Sequence, residues 1–224
     1  MKLEGKVVSF LGDSMTEGYG LTDIADRYDN VIMREYGLGA VHNYGISGTR
    51  IAHQKIPSKI PRYDLSFCAR LYDIDKSSDI IVVFGGANDY AHGDAPLGEL
   101  ETSNTPATFC GGVNFLMSNL KKLYPSAVIV FMTPARICFY GMPDTKRSKM
   151  SSKGADAQPL IYYVDVIKKA GENHGIPVLD LYRNFEINTN NEEDAKRYTS
   201  DGVHYNAEAH AMLAHTLAEF LLMI

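Results

Sequence analysis

Four short stretches of this 224-residue chain carry the residue types that acyl transfer needs. That chemistry requires a nucleophile, a general base, a group that orients the base, and hydrogen-bond donors for the oxyanion. We interpret Ser14, in "GDS", as the nucleophile and His204, in "DGVH", as the base. Asp201 lies three residues before the histidine, a spacing that lets its carboxylate orient the imidazole through Nδ1.

Three groups are predicted to donate hydrogen bonds to the oxyanion. They are the backbone N–H of Ser14, the backbone N–H of Gly45 in "NYGISG", and the side-chain amide of Asn88 in "GGAND". A glycine allows close backbone approach, and the Asn amide donates without first being protonated. Each stretch alone is equally typical of a turn or a helix cap, so the prediction depends on their occurring together.

The elements around these stretches predict that they meet. Five short runs read as buried strands, namely 6–12, 40–45, 79–86, 127–134 and 176–182, and helical spacing fills 22–36, 106–124, 157–174 and 206–223. This alternation predicts an α/β doubly wound sandwich with a mostly parallel sheet, formed as a single domain over residues 1–224. Because parallel strands present their carboxyl ends at one edge, the polar stretches that follow them are expected to share that edge.

The four stretches together resemble the SGNH (GDSL-type) hydrolase family of esterases and lipases. The matching blocks are Gly12-Asp13-Ser14, "NYGISG" with Gly45, Gly86-Ala87-Asn88-Asp89, and Asp201-Gly202-Val203-His204. They follow the family order and span residues 12–204. The chain departs from the common pattern at Met15, where many members have Leu, and at Tyr205, where Pro or Leu is common.

The resemblance implies a three-layer α/β/α, flavodoxin-like fold with a five-stranded sheet and a Ser-His-Asp esterase mechanism through an acyl-enzyme. It assigns Ser14, His204 and Asp201 to the triad, and Ser14, Gly45 and Asn88 to the oxyanion hole. Asp13 and Asp89 are expected to be supporting residues that shape the loops. No cofactor and no metal are expected.

Composition argues against several other functions. A formal net charge of −5 gives no electrostatic reason to bind nucleic acid. Three cysteines without C-x-x-C spacing indicate free thiols in a reducing compartment. The absence of a long apolar run predicts no membrane span, and the absence of a signal sequence leads us to expect a cytoplasmic protein.

The long predicted loop at 135–156 is rich in basic residues, namely Lys146, Arg147, Lys149 and Lys153. Such a cluster is typical of a solvated loop, and the alternative is that it attracts an anionic substrate. The other long predicted loop, 90–105, has no assigned role. Neither loop is apolar enough to suggest the lid of a long-chain lipase.

Three tyrosines, Tyr90, Tyr140 and Tyr205, are predicted near the site and are suited to stacking on a sugar face. They favour removal of a short acyl group, such as acetyl, from a polar carrier such as a carbohydrate. Hydrolysis of a lysophospholipid or a thioester is the alternative reaction. A non-catalytic flavodoxin-like binding protein is the alternative from another functional class.

Overall fold

A central sheet of five parallel strands forms the framework of the protein, in a computed structural model that describes residues 1–150 and 157–224. Its strands are β1 (Val7–Gly12), β2 (Ala40–Gly45), β3 (Ile80–Phe84), β4 (Val128–Met132) and β7 (Val178–Leu179). They lie in the order β2-β1-β3-β4-β7. The register places Gly12 beside both Gly45 and Phe84, so three of the four polar stretches begin side by side at one edge of the sheet.

Helices cover both faces of the sheet. The longer ones are α2 (Tyr28–Tyr36), α5 (Phe109–Leu123), α6 (Leu160–His174) and α9 (Ala207–Met223). The shorter ones are α1 (Ser14–Glu17), α3 (Phe67–Arg70), α4 (Ala87–Ala91), α7 (Leu181–Asn184) and α8 (Glu192–Tyr198). Helices α2 and α9 pack together on one face and α5 and α6 on the other, which confirms the predicted three-layer fold.

Alternate residues of each central strand feed two separate apolar cores. On β3, Ile81 and Val83 pack toward α5 and α6, whereas Val82 and Phe84 pack toward α2 and α9. All four side chains are buried. A strand covered on both faces needs apolar residues at every position, which explains why this run shows no polar alternation.

Two predicted elements differ from the structure for local reasons. The predicted helix at 22–36 begins with a separate 3₁₀ turn at Ile24–Asp26, because Arg27 adopts an extended conformation before α2 starts. The predicted strand at 176–182 shortens to the two residues of β7. Its continuation is lost because the Asp180 carboxylate accepts the Arg183 N–H and so caps α7.

The predicted loop at 135–156 contains a small antiparallel hairpin of β5 (Cys138–Phe139) and β6 (Met142–Pro143). Its turn is Tyr140-Gly141, and both residues have positive φ, at 47° and 72°. Positions 151–156, including Lys153, lie outside the described residues. In the part of the chain that the structure describes, no helix is long and apolar enough to cross a membrane.

Candidate active site

The sharp turn at the end of β1 presents Ser14 as the first residue of α1. Gly12 is needed there, because a Cβ at that position would lie 1.9 Å from Thr16 Oγ1. The Asp13 carboxylate caps the helix by accepting the Met15 N–H at 3.1 Å. Ser14 is only 8% exposed and lines a cavity at the carboxyl edge of the sheet.

Residues 190 positions apart in sequence meet in this cavity. His204 Nε2 lies 2.9 Å from Ser14 Oγ, and His204 Nδ1 lies 2.6 Å from Asp201 Oδ2. The other carboxylate oxygen of Asp201 accepts the backbone N–H groups of Val203 and His204, at 3.0 and 2.8 Å. The structure therefore brings the three predicted triad side chains into one hydrogen-bonded chain.

The Asp201 carboxylate is suited to remaining ionised. Burial alone would raise the pKa of Asp201, but the hydrogen bonds from the His204 N–H and imidazole, with the charge of that ring, hold it below its ordinary value. With the Nδ1 proton directed at this carboxylate, Nε2 is left to accept the Ser14 hydroxyl proton. Which ring nitrogen carries the proton follows from these partners.

Gly45 does not fit the predicted role of oxyanion donor. Its N–H donates to Asn43 Oδ1 at 2.9 Å, and it does not line the cavity. A glycine is required for packing instead, since a Cβ at this position would lie 2.2 Å from Glu17 N. The end of β2 thus lies directly against the backbone of α1.

Gly48, three residues later in the same stretch, has the geometry that Gly45 lacks. It lines the cavity with a φ of 75°, and within residues 1–150 and 157–224 its N–H has no hydrogen-bond acceptor. We call residues 46–48 the oxyanion loop. The sequence signal was present in "NYGISG", which holds two glycines, but spacing alone does not tell which of the two lines the cavity.

Asn88 lines the cavity, as expected, but both of its amide hydrogens already have acceptors. Nδ2 donates to Thr49 O at 3.0 Å and to Asp13 Oδ2 at 3.2 Å. The second bond is at the long end of the usual range. To bind Asn88, an oxyanion would therefore have to share the Nδ2 hydrogen bond with Asp13 or displace Asp13 from it. Such a change on substrate binding is common, because catalytic hydrogen bonds are often long in the free enzyme and tighten in the substrate complex.

The two predicted supporting carboxylates each hold backbone at the site. Asp13 caps α1 as described, and burial raises its pKa to about 6 against the opposing hydrogen bond from the Met15 N–H and the charge of His204. Asp89 accepts the N–H groups of Ile51 and Ala52, at 2.9 and 3.0 Å. It thereby fixes the segment that follows the oxyanion loop.

Sequence reasoning missed a set of side chains that hold the segments around Gly48 and Asn88 in place. Glu17, in the same stretch as Ser14, accepts both the N–H and the hydroxyl of Ser47, and Arg62 pairs with its other oxygen. Arg50 is buried and donates to Gly48 O at 3.2 Å. Two residues of the oxyanion loop, Ser47 and Gly48, are thus hydrogen-bonded to charged side chains.

A histidine plays the same part for Asn88, the predicted side-chain donor. His92 Nε2 lies 2.9 Å from Asn88 Oδ1, and Arg50 Nη1 lies 3.4 Å from His92 Nδ1. The imidazole fixes which way the Asn88 amide points. The only sequence signal for this contact was the i, i+4 spacing of the two residues.

The cavity has a volume of about 310 Å³ and walls that are mostly apolar. The apolar lining comprises Met15, Phe84, Pro134, Ala135, Ile137, Phe139, Met150 and Val203. Tyr19 packs on the His204 ring with a centroid distance of 4.5 Å. Such a chamber suits an acyl group of moderate size better than a strongly polar one.

The tyrosines expected to stack on a sugar are mostly elsewhere. Tyr90 and Tyr205 are buried, at 0% and 2% exposure, and Tyr205 contributes only to the cavity wall. Tyr140 is 82% exposed and lies at the cavity, where Tyr19 and Tyr63 provide two further exposed rings. Among the described residues, no cluster of histidine, cysteine or carboxylate side chains has the arrangement of a metal site.

Comparison with known proteins agrees with the fold and the motifs. The model of the GDSL-like Lipase/Acylhydrolase family matches residues 10–212. Curated protein sequences give no match. A solved structure from Lactobacillus plantarum is similar over 97% of each chain, with 28% identity and a TM-score of 0.81.

Two further solved structures have names that state an activity. The lipase/acylhydrolase from Enterococcus faecalis is 20% identical, with a TM-score of 0.62 over 96% of this chain and 95% of its own. The acetyl xylan esterase AlAXEase is 21% identical, with a TM-score of 0.61 over 96% of this chain and 98% of its own. At these identities the two similarities establish a shared fold.

Proposed function

This chain belongs to the GDSL-like lipase/acylhydrolase family and is an esterase- or lipase-type hydrolase, and from that premise we propose that Ser14 is its nucleophile. The observation that carries the proposal is the continuous chain of contacts from Ser14 through His204 to Asp201, with heavy-atom distances of 2.9 and 2.6 Å. We propose that residues 1–224 form one catalytic domain.

In the proposed mechanism, Ser14 Oγ attacks the ester carbonyl while His204 Nε2 takes the hydroxyl proton. The ester C–O bond then breaks, and the imidazolium returns the proton to the departing alcohol. Asp201 stabilises the imidazolium through Nδ1. Water then attacks the acyl-enzyme by the same route, releasing the acid and restoring Ser14.

The oxyanion is proposed to bind the N–H groups of Ser14 and Gly48, with Asn88 as the third donor. Gly48 replaces Gly45 in this assignment because it lines the cavity and its N–H lacks an acceptor among the described residues. The Ser14 N–H is also the first N–H of α1, where helix geometry leaves it without an intrahelical partner. Preorganised donors of this kind are worth about 3–4 kcal/mol each to the transition state.

We propose as the substrate an ester with a short to medium apolar acyl group, which the cavity walls accept. The name of AlAXEase, an acetyl xylan esterase, keeps acetyl removal from a carbohydrate as a second candidate. The exposed rings of Tyr19, Tyr63 and Tyr140 are the observation that favours it. Lysophospholipid or thioester cleavage requires the same nucleophile.

The test is release of p-nitrophenol from acetyl, butyryl, hexanoyl and octanoyl esters by the wild-type protein and by Ser14→Ala. We expect the best kcat/KM at butyryl or hexanoyl and loss of turnover in the variant at every chain length. Ser126→Ala is the matched control, because this serine is exposed and lies outside the cavity. Turnover retained by Ser14→Ala would exclude the proposed nucleophile, whereas absence of turnover in the wild-type protein at every chain length would favour the alternative of a non-catalytic binding protein.

A further inference from the structure

A second groove opens beside the cavity and shares part of its wall. The groove has a volume of about 360 Å³, and Phe139, Tyr140 and Met150 line both spaces. The rest of its lining is Gly141, Met142, Pro143, Lys146 and Lys149. A substrate whose acyl group fills the cavity would therefore extend its alcohol portion over these shared residues into the groove.

The groove combines an apolar floor with two ammonium groups. Lys146 and Lys149 are exposed, and within residues 1–150 and 157–224 neither forms an ion pair. The chain as a whole carries a net charge of −5, so a local pair of uncompensated cations runs against the average field. The matching chemistry is a molecule with an aromatic or aliphatic body and an anionic group.

Buried hydrogen bonds hold the segment that carries these lysines. The hydroxyl of Tyr90, a buried residue of α4, donates to Lys146 O at 3.1 Å. The buried Ser148 hydroxyl donates to Ala91 O, at the end of the same helix. The buried Asp144 carboxylate accepts the Ile137 N–H at 2.9 Å. The basic segment is thus fixed to the helix that also carries a predicted oxyanion donor.

The turn between cavity and groove keeps an aromatic ring exposed in a disfavoured conformation. Tyr140 has a φ of 47°, and among the described residues it is the one non-glycine residue with a positive φ. Two-residue hairpin turns of this kind favour Asn or Gly at that position. Its ring is 82% exposed and packs edge-on against Phe139 at 4.6 Å. Local strain of this kind is concentrated at ligand-binding sites.

We propose that this groove is the leaving-group subsite and that it selects esters of anionic, apolar-bodied alcohols or phenols. Tyr140 contacts the body of the leaving group, and Lys146 and Lys149 pair with its carboxylate or phosphate. The inference rests on the proposed function, because the group that it binds is the alcohol released when Ser14 is acylated. No new bond-making step is involved beyond that reaction.

The test compares anionic and neutral substrates that share one acyl group. The probes are 4-acetoxybenzoate with 4-acetoxybenzamide, and the longer 4-acetoxycinnamate with 4-acetoxycinnamamide. The quantity measured is the ratio of kcat/KM for the anion to kcat/KM for its amide. The test variant is Lys146→Gln/Lys149→Gln, and the control Lys2→Gln/Lys122→Gln makes the same charge change outside both the cavity and the groove.

We expect the ratio to fall roughly three- to twentyfold in the test variant for at least one probe pair, since each exposed ion pair contributes up to about a fivefold factor. The control should keep the wild-type ratio. In wild-type protein the ratio should also fall between about 0.02 and 0.5 M salt, while turnover of the amide stays constant.

Equal ratios in wild-type and test variant for both probe pairs would overturn the subsite, and so would equal losses for anion and amide. A further comparison uses p-nitrophenyl succinate, whose acyl group is anionic, and p-nitrophenyl butyrate, whose acyl group is neutral. If the lysine substitutions lower kcat/KM for the succinate relative to the butyrate but leave the ratios for the acetoxy probes unchanged, the lysines bind the acyl side of the substrate. That result would overturn the assignment of the groove to the leaving group. None of these three results bears on the proposed function. A different result would overturn that function, namely hydrolysis by Ser14→Ala of the acetyl ester in the neutral probes 4-acetoxybenzamide and 4-acetoxycinnamamide.

Discussion

The carboxylate beside the proposed nucleophile should reduce the stability of the protein at neutral pH. Asp13 is 4% exposed, and burial raises its pKa to about 6 from an ordinary 3.8, although the Met15 N–H and His204 act in the opposite direction. A raised folded-state pKa means that the folded protein binds the proton more tightly than the unfolded chain. The stabilisation is complete below pH 3.8 and is lost as the pH rises through 6.

The size of the effect follows from that difference in pKa. A shift from 3.8 to about 6 corresponds to about 3 kcal/mol of lost stability once the pH is well above 6. About 1.4 kcal/mol of this loss falls between pH 5 and 7.5, where unfolding is measurable. Asp13→Asn keeps an oxygen for the Met15 N–H but cannot ionise, so its stability should lack this component.

The measurement is urea unfolding of wild-type and Asp13→Asn protein at pH 5, 6 and 7.5. The variant should gain about 1.4 kcal/mol relative to wild type across that range. Asp73→Asn, which removes an exposed carboxylate, serves as the control. A wild-type-to-variant difference that stays constant with pH would refute the reasoning, because it would show that Asp13 does not titrate in this window.

The same substitution should also slow the reaction. Asn88 Nδ2 now donates to Asp13 at 3.2 Å, and its Oδ1 is held by His92 at 2.9 Å. In Asp13→Asn the new amide must keep its oxygen toward Met15 N, so its NH₂ faces that of Asn88. We therefore expect a lower kcat together with the loss of the pH-dependent destabilisation, the pattern of a site in which stability is given up for function.

Three further substitutions test the geometry of the site. Gly48→Ala should lower kcat by up to about a hundredfold and should reduce the free energy of unfolding by about 1–2 kcal/mol. Gly45→Ala, in contrast, should fail to reach the native fold. A folded Gly48→Ala protein with wild-type kcat would contradict the assignment of Gly48 as a donor. Glu17→Gln, which loosens the oxyanion loop, should lower kcat by about tenfold or more with little change in KM, and Glu4→Gln, on the exposed surface, should match wild type. Asp201→Asn should lower kcat by roughly ten-thousandfold, and a loss smaller than about tenfold in steady-state assays would argue against its role.

The order of elements made the fold predictable from sequence. Strands β1, β3 and β4 are largely buried on both faces, so their residues form apolar runs, and polar stretches fall where such runs end. The predicted strand at 40–45 coincides with β2. The 3₁₀ turn before α2 and the hairpin at Tyr140-Gly141 escaped prediction, because they depend on single-residue conformations that periodicity does not register.

The candidate site was predictable to the level of motifs and no further. Ser14 and Asn88 come together at the cavity because each follows a strand whose place in the sheet was predictable, and the loop before α9 brings His204 and Asp201 to them. The choice between Gly45 and Gly48 as the donor was not predictable from the sequence. It depends on which of the two N–H groups donates to the Asn43 side chain, and in the structure that is Gly45.

The polar network behind the oxyanion donors explains why motif spacing is not enough. Arg50 contacts Gly48 O at 3.2 Å and His92 Nδ1 at 3.4 Å, so one buried guanidinium links the segments that carry the proposed donors Gly48 and Asn88. Burial lowers the pKa of Arg50, and a buried cation rarely stabilises a fold by itself. Arg50, like the ionised Asp13, instead holds neighbouring groups of the site in place. A side chain of this kind contacts residues that are far apart in sequence, so its role is visible only in the three-dimensional structure.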